Sequence, residues 1–177
     1  MTVLGVLPAE NIVENGDFET PGGVTQWVAL YQSPVDFQWR IVEGTSVDLV
    51  GPPWQAASGL QFVDLDGNFP GSGGLFQDIP TRPGATYRIR FAMTGNPQWQ
   101  EIVANPIETM DVYWDGHLLA STEADLTGHT ISNMGWQYYE FDVTASSPVT
   151  RILFISTMGY SATGPTLDDV SVQWIGR

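Results

Sequence analysis

The chain of 177 residues carries 20 acidic and 6 basic residues, for a formal net charge of -14, and it contains no cysteine. A surface this acidic repels phosphate backbones and anionic lipid, which argues against binding to nucleic acid or to a membrane surface. The absence of cysteine excludes disulfides, thiolate metal sites and thiol nucleophiles.

The composition also indicates the fold class. Hydrophobic residues make up 42% of the chain and charged residues 15%, with 19 glycines and 12 prolines. Such a profile is typical of many short strands joined by tight turns. The best helical candidate, residues 97–107, contains two prolines. We therefore predict an all-β protein with a single domain spanning residues 1–177.

Short segments rich in β-branched and aromatic residues predict the strands. In chain order these segments are 25–30, 38–42, 45–50, 60–65, 74–79, 86–94, 109–114, 117–122, 136–143, 150–157 and 166–175. Asp115-Gly116 predicts a tight hairpin, because both turn positions favour positive φ. Within 45–50, Val47 and Leu49 alternate with polar residues, which predicts a strand buried on one face only.

Carboxylates stand at both ends of the chain, in Asn15-Gly16-Asp17-Phe18-Glu19 and at Asp168. If the first and last segments lie side by side, Glu19 and Asp168 meet. The alternation places Asp168 on the face of Val170, Val172 and Trp174, where an unpaired carboxylate costs on the order of several kcal/mol. Calcium would offset this cost, since it accepts irregular sets of oxygen ligands. The alternative is that both carboxylates cap turns and accept backbone amides.

Aromatic and charged residues collect at outward strand positions, which suggests a glycan-binding face. These residues are Arg88, Arg90, Asp111, Tyr113, Trp136, Tyr138 and Glu140. Sugar rings stack on aromatic side chains while their hydroxyls bond to planar polar groups. Trp99, in a proline-rich loop, is the best candidate for an exposed platform at the rim. The alternative is that Trp136 and Tyr138 only cover a sheet and that the remaining large aromatics are mostly core, namely Trp27, Trp39, Trp54, Trp114 and Trp174.

Nothing in the sequence favours catalysis. His117 and His129 have no partner at metal-ligand spacing, and no Gly-x-Ser-x-Gly motif is present. The acidic stretch 64–68 lacks the closing glutamate of a calcium loop, so we expect a solvated turn there. Residues 1–8 lack the features of a signal peptide or a membrane span.

A series of motifs runs nearly from end to end of the chain. It comprises Asn15-Gly16-Asp17-Phe18-Glu19, 46–50, 62–67, 83–87, 95–97 and Gly164-Pro165-Thr166-Leu167-Asp168-Asp169-Val170. The series resembles the plant cell-wall family called domain of unknown function 642 and its bacterial counterparts, the choice-of-anchor C proteins. This resemblance implies a two-sheet, galactose-binding-like jelly roll, related in architecture to carbohydrate-binding modules.

The resemblance also implies a structural calcium ion. Its ligands would be the Asp17 carbonyl, the Glu19 carboxylate, Asp168 through carboxylate and carbonyl, and a carbonyl near Leu60 or Gln61. We therefore predict a noncatalytic, extracellular module that binds a cell-wall or other polysaccharide. The alternative is a structural or protein-interaction module whose partner is another protein.

Overall fold

The computed structural model describes residues 10–68, 72–99, 106–159 and 163–176, and within them it contains eleven strands. The strands are β1 (Trp27–Leu30), β2 (Arg40–Ile41), β3 (Val47–Val50), β4 (Phe62–Asp64), β5 (Gly74–Pro80), β6 (Thr86–Gly95), β7 (Ile107–Trp114), β8 (His117–Asp125), β9 (Gln137–Thr144), β10 (Val149–Ser156) and β11 (Pro165–Gly176). Every predicted strand is present, with ends shifted by a few residues. A short 3₁₀ turn covers Pro97–Trp99. No helix in this part of the chain is long and apolar enough to cross a membrane.

The strands form two antiparallel sheets. One has six strands in the order β1-β3-β4-β11-β6-β9, and the other has five in the order β2-β5-β10-β7-β8. Asp115 and Gly116 join β7 to β8 with φ values of 51° and 79°, as their turn chemistry predicts. The predicted all-β, two-sheet jelly-roll sandwich is confirmed.

Aromatic side chains fill the space between the sheets. Phe18 from the N-terminal segment contacts Trp39 at 5.6 Å between ring centroids, and Trp39 contacts Phe154 of β10 at 6.1 Å. Phe154 meets Phe91 of β6 edge to face at 5.1 Å. Each of these side chains is at most 1% exposed. Burial of one such ring contributes about 2 to 3 kcal/mol, so this cluster holds the two sheets together.

The N-terminal segment lies beside the last strand, as predicted. Asn11 forms a β-bridge with Gln173, and the Ile12 amide donates to the Val172 carbonyl at 3.0 Å. Further along, the Val170 amide donates to the Gly16 carbonyl at 2.8 Å. Both ends of the described chain therefore meet along β11, which lies between β4 and β6 inside the six-stranded sheet.

One prediction about β11 is wrong. Asp168 pairs with Ala92 and Ser171 pairs with Arg90, so β11 contains one extra residue between these pairs. This β-bulge turns Asp168 to the outer face of the six-stranded sheet, whereas Val170 points into the core. Asp168 therefore does not share a face with Val170, and Trp174 is 52% exposed.

Strand β3 also differs from its prediction, because it is buried on both faces. Val47 and Leu49 pack in the main core. On the outer face, a second apolar cluster contains Val50, Trp54, Phe62 and Met134, with Trp136 packed against it. Trp54, Met134 and Trp136 come from the loops before β4 and β9, and alternation within one strand does not reveal such covering loops.

Candidate functional site

Glu19 and Asp168 bind the two ends of one loop segment, residues 57–61. Glu19 Oε1 accepts the backbone amides of residues 60 and 61, both at 2.7 Å. Asp168 Oδ2 accepts the amides of residues 57 and 58, both at 2.8 Å, and Asp168 Oδ1 accepts the next amide in the chain at 2.7 Å. The structure thus brings the two carboxylates to the same loop, and it gives both of them backbone donors.

The electrostatics of this loop depend mainly on Asp168, which is fully buried. Burial raises the pKa of Asp168 to about 7, and the amide hydrogen bonds offset part of the effect. The side chain of Gln61 donates to the carbonyls of Phe18 and Pro21 at 2.8 Å, while Asp17 is exposed. Among the described residues, no group of three or more His, Cys, Asp and Glu could hold a metal ion. Calcium binding here stays a prediction.

The predicted glycan-binding residues lie on two different surfaces. Arg88, Arg90 and Tyr138 are on the outer face of the six-stranded sheet, through β6 and β9. Asp111 and Tyr113 are on β7, in the five-stranded sheet. These residues therefore cannot line one groove.

Two aromatic residues of the same prediction have other positions. Trp136 meets Phe62 edge to face at 5.3 Å and donates from Nε1 to the Gln55 carbonyl at 2.8 Å, so it packs against the second apolar cluster. The side chain of Trp99 lies outside the described part of the structure.

On the six-stranded sheet the polar groups are already paired. Arg88 and Asp142 form an ion pair at 2.8 Å. Arg90 pairs with Asp169 at 2.9 Å, and its guanidinium stacks 3.7 Å from the centre of the Tyr138 ring. The Tyr138 hydroxyl also donates to Asp169 at 2.9 Å. The Arg90 guanidinium therefore covers the Tyr138 ring, so this part of the face does not offer that ring to a sugar.

A more suitable surface crosses the five-stranded sheet. Directly opposite residues on its strands form one row, which we call the cross-strand strip: Arg40, Phe76, Leu153, Tyr113 and Leu118, from β2, β5, β10, β7 and β8. Opposite residues in antiparallel strands share a face. At the usual strand separation the row is roughly 19 Å long. Its members are half-buried or exposed, and Leu118 is 55% exposed.

Polar groups border the cross-strand strip on both sides. On one side Arg151 pairs with Asp78 at 2.7 Å and stacks 3.9 Å from the centre of the Phe76 ring. On the other side the Ser121 hydroxyl donates to Asp111 at 2.5 Å. An apolar row between planar polar groups can hold a sugar ring by its faces and its hydroxyls at once.

The sequence reasoning missed a set of buried carboxylates. Asp64 and Asp66, which we expected in a solvated turn, are 1% and 0% exposed, and Glu108 is 2% exposed. Burial raises the pKa of Asp66 to about 6 and that of Asp64 well above its usual value. Asp64 is held by the Asn96 amide at 2.8 Å and by the backbone amides of residues 66 and 164 at 3.0 and 3.1 Å. The expectation of a solvated turn is wrong, because these side chains point under neighbouring strands and loops.

Comparisons with known proteins agree with the fold. The sequence model of a family described as protein of unknown function (DUF642) matches residues 11–173. No curated protein matches the chain.

Solved structures are similar over most of their length. TmCBM61, solved with β-1,4-galactotriose, is 19% identical with a TM-score of 0.51, over 94% of this chain and 100% of that one. The CBM22-1 xylan-binding domain of Paenibacillus barcinonensis Xyn10C is 9% identical with a TM-score of 0.53, over 88% and 99%. The K1 cleaved adhesin domain of Lys-gingipain from Porphyromonas gingivalis W83 is 12% identical with a TM-score of 0.57, over 85% and 99%. At these identities the likeness establishes the fold alone.

Proposed function

The chain belongs to the DUF642 family, whose function is unknown, and we propose that it is a noncatalytic carbohydrate-binding module acting outside the cell. The observation that carries the proposal is the cross-strand strip, where Phe76, Leu153 and Tyr113 form an apolar row bordered by the Arg151–Asp78 and Asp111–Ser121 pairs. The fold is shared with TmCBM61, which was solved with a galactotriose, and with a xylan-binding domain.

The physical basis of the proposed binding is stacking combined with hydrogen bonding. Tyr113 lies near the middle of the row, with a flat ring and a polar hydroxyl 3.5 Å from Asp111 Oδ2. The bordering ion pair and hydrogen bond fix their side chains before a ligand arrives, which lowers the entropic cost of binding. Since the net charge is -14, we expect neutral polysaccharides to bind in preference to acidic ones.

Affinity-gel electrophoresis tests this proposal. We expect xylan, β-1,4-galactan or β-glucan in the gel to retard the wild-type protein, and Tyr113→Ala to weaken the retardation by about tenfold or more. Tyr138→Ala is the matched control, because Tyr138 is a solvent-facing tyrosine on the opposite sheet. Equal melting temperatures would show that both variants are folded. The assignment would be refuted if none of these polysaccharides retarded the wild type. It would also be refuted if the retardation fell equally in both variants.

The cross-strand strip also supports a second candidate function, a protein-interaction module. Its middle is apolar, and Leu118 at its end is 55% exposed. Exposed apolar surface of this kind is also found at protein interfaces. Saturable binding of a protein, combined with no retention on any polysaccharide, would favour this second function.

The proposal includes a structural calcium ion. Glu19 and Asp168, with backbone carbonyls near Asp17 and Gln61, would hold it. The residues present fit a calcium ion in part. The two carboxylates converge on the loop 57–61, but their oxygens already accept hydrogen bonds from backbone amides. An ion there would supply positive charge that keeps the buried Asp168 ionised.

A further inference from the structure

A second surface with binding chemistry lies on the outer face of the six-stranded sheet, near its edge strand β1. It is a pocket of about 140 Å³ lined by Trp27, Trp54, Asp48, Asn96, Asn68 and Gln98. Trp27 pairs with Val50 of β3, and Val50 belongs to the outer-face apolar cluster, so the Trp27 side chain projects from this face. The indole of Trp27 is 45% exposed, whereas that of Trp54 is 8% exposed.

The inner wall of the pocket is held rigid by a chain of hydrogen bonds. Trp54 Nε1 donates to Asn96 Oδ1 at 3.2 Å, and Asn96 Nδ2 donates to Asp64 Oδ2 at 2.8 Å. Asp64 is in turn held by two backbone amides. The orientation of Trp54 is therefore set before any ligand binds, which is the arrangement that specific binding sites require.

Asp48 contributes a hydrogen-bond acceptor whose capacity is unused. The residue is 9% exposed, and its Oδ1 has no hydrogen-bond partner among the described residues. Burial raises the pKa of Asp48 to about 6, so at pH 7 the carboxylate is mostly ionised and can only accept hydrogen bonds. Oδ1 is fully buried, whereas Oδ2 is not among the fully buried unpaired atoms, so Oδ2 is the oxygen that a ligand hydroxyl in the pocket can reach.

We propose that this pocket is a second carbohydrate subsite, which takes one uncharged pyranose ring between Trp27 and Trp54 with a hydroxyl donating to Asp48. The pocket is smaller than the roughly 300–1,000 Å³ of typical small-molecule sites, so it suits a single ring. The two indoles supply apolar walls for the ring faces. The negative charge of Asp48 repels the carboxylate of a uronic acid, which favours an uncharged ring.

This proposal shares with the proposed function the premise that the chain binds sugars, but it concerns a different sheet. Tryptophan fluorescence separates the two. We expect at least one of the neutral trisaccharides β-1,4-galactotriose, xylotriose and cellotriose to give a saturable change in emission with a millimolar dissociation constant, and trigalacturonic acid to give none. Trp27→Ala should abolish the change.

Matched variants complete the test. Trp174→Ala should keep the change in emission, because Trp174 is a similarly exposed indole outside the pocket. Tyr113→Ala should also keep the change in emission, even if it loses retardation in the polysaccharide gels. Loss of binding at the cross-strand strip can therefore be distinguished from loss of binding in this pocket. Asp48→Asn should weaken binding by about tenfold, since a charged acceptor is replaced by a neutral one.

Three results would overturn the second subsite. The first is the absence of any saturable change with the three neutral trisaccharides at about 10 mM, a concentration that detects millimolar affinity. The second is a change that persists in Trp27→Ala. The third is a response to tetramethylammonium but to none of the sugars, which would identify an ammonium site because aromatic walls also bind cations.

Discussion

Glu108 offers a quantitative test of the buried carboxylates. It lies on β7, is 2% exposed and points from the five-stranded sheet toward Gly95 of β6. Its Oε2 has no hydrogen-bond partner among the described residues. Burial, with a smaller contribution from the negative charge of Asp66, raises the pKa of Glu108 from 4.5 to about 8.

This pKa makes the stability of the fold depend on pH. Between pH 4.5 and about pH 8 the folded protein keeps a proton on Glu108 that the unfolded chain has released, so the free energy of unfolding falls as the pH rises. At about 1.4 kcal/mol per pH unit, the loss from pH 5 to pH 8 is about 4 kcal/mol. Above pH 8 the loss levels off, because both states are then ionised.

Glu108→Gln removes the ionisation and keeps the shape of the side chain. In urea unfolding, we expect the variant to match the wild type at pH 5 within about 1 kcal/mol and to exceed it by about 4 kcal/mol at pH 8. The other buried carboxylates are present in both proteins, so the difference between the two curves reports Glu108 together with its electrostatic coupling to Asp66. Parallel curves would refute the reasoning. A variant that is less stable at pH 8 would do so too, since it would show that the ionised Glu108 is held by a partner.

Two further predictions concern the junction between the N-terminal segment and the last strand. If calcium binds there, a chelator should lower the melting temperature of the wild type, because the ion stabilises only the folded state. Asp168→Asn should remove this response. A wild-type melting temperature that changes with neither chelator nor added calcium would contradict the site. Gly16→Ala should destabilise the fold by about 2 kcal/mol, because the new Cβ would overlap the Val170 carbonyl. The control is Gly128→Ala, because Gly128 has a φ of +79° and open space around it. In urea unfolding, its free energy of unfolding should fall by about 1 kcal/mol. An equal fall in both variants would argue against the close approach of Gly16 to β11.

The strands could be predicted from the sequence because their signals are local. The segments 86–94 and 150–157, which form β6 and β10, and the Asp115-Gly116 turn were each predicted from neighbouring residues, and the structure agrees with them. The motifs at the two ends likewise predicted that the N-terminal segment lies beside β11. The turn even implies that Tyr113 and Leu118 face each other across the hairpin, which is one link of the cross-strand strip.

The candidate sites could not be predicted in the same way, because they depend on sheet order and on loops. Arg90 and Tyr113 both point outward, but they lie on strands of different sheets, and alternation does not reveal which strands are neighbours. One extra residue in the β11 bulge moved Asp168 to the other face. Asp48 stands at a polar position of its strand, yet it is only 9% exposed and lines a pocket together with residues that are distant in the sequence, such as Asn96.

The most direct test of the carbohydrate-binding proposal is a titration of the ¹⁵N-labelled protein with neutral oligosaccharides, followed by amide chemical shifts. The account predicts saturable shifts centred on β5, β7 and β10 around Phe76, Tyr113 and Leu153, with a second set near Trp27 and Asp48. Amide signals that stay unchanged across the whole protein at millimolar sugar, from xylotriose to galactotriose and cellotriose, would contradict it.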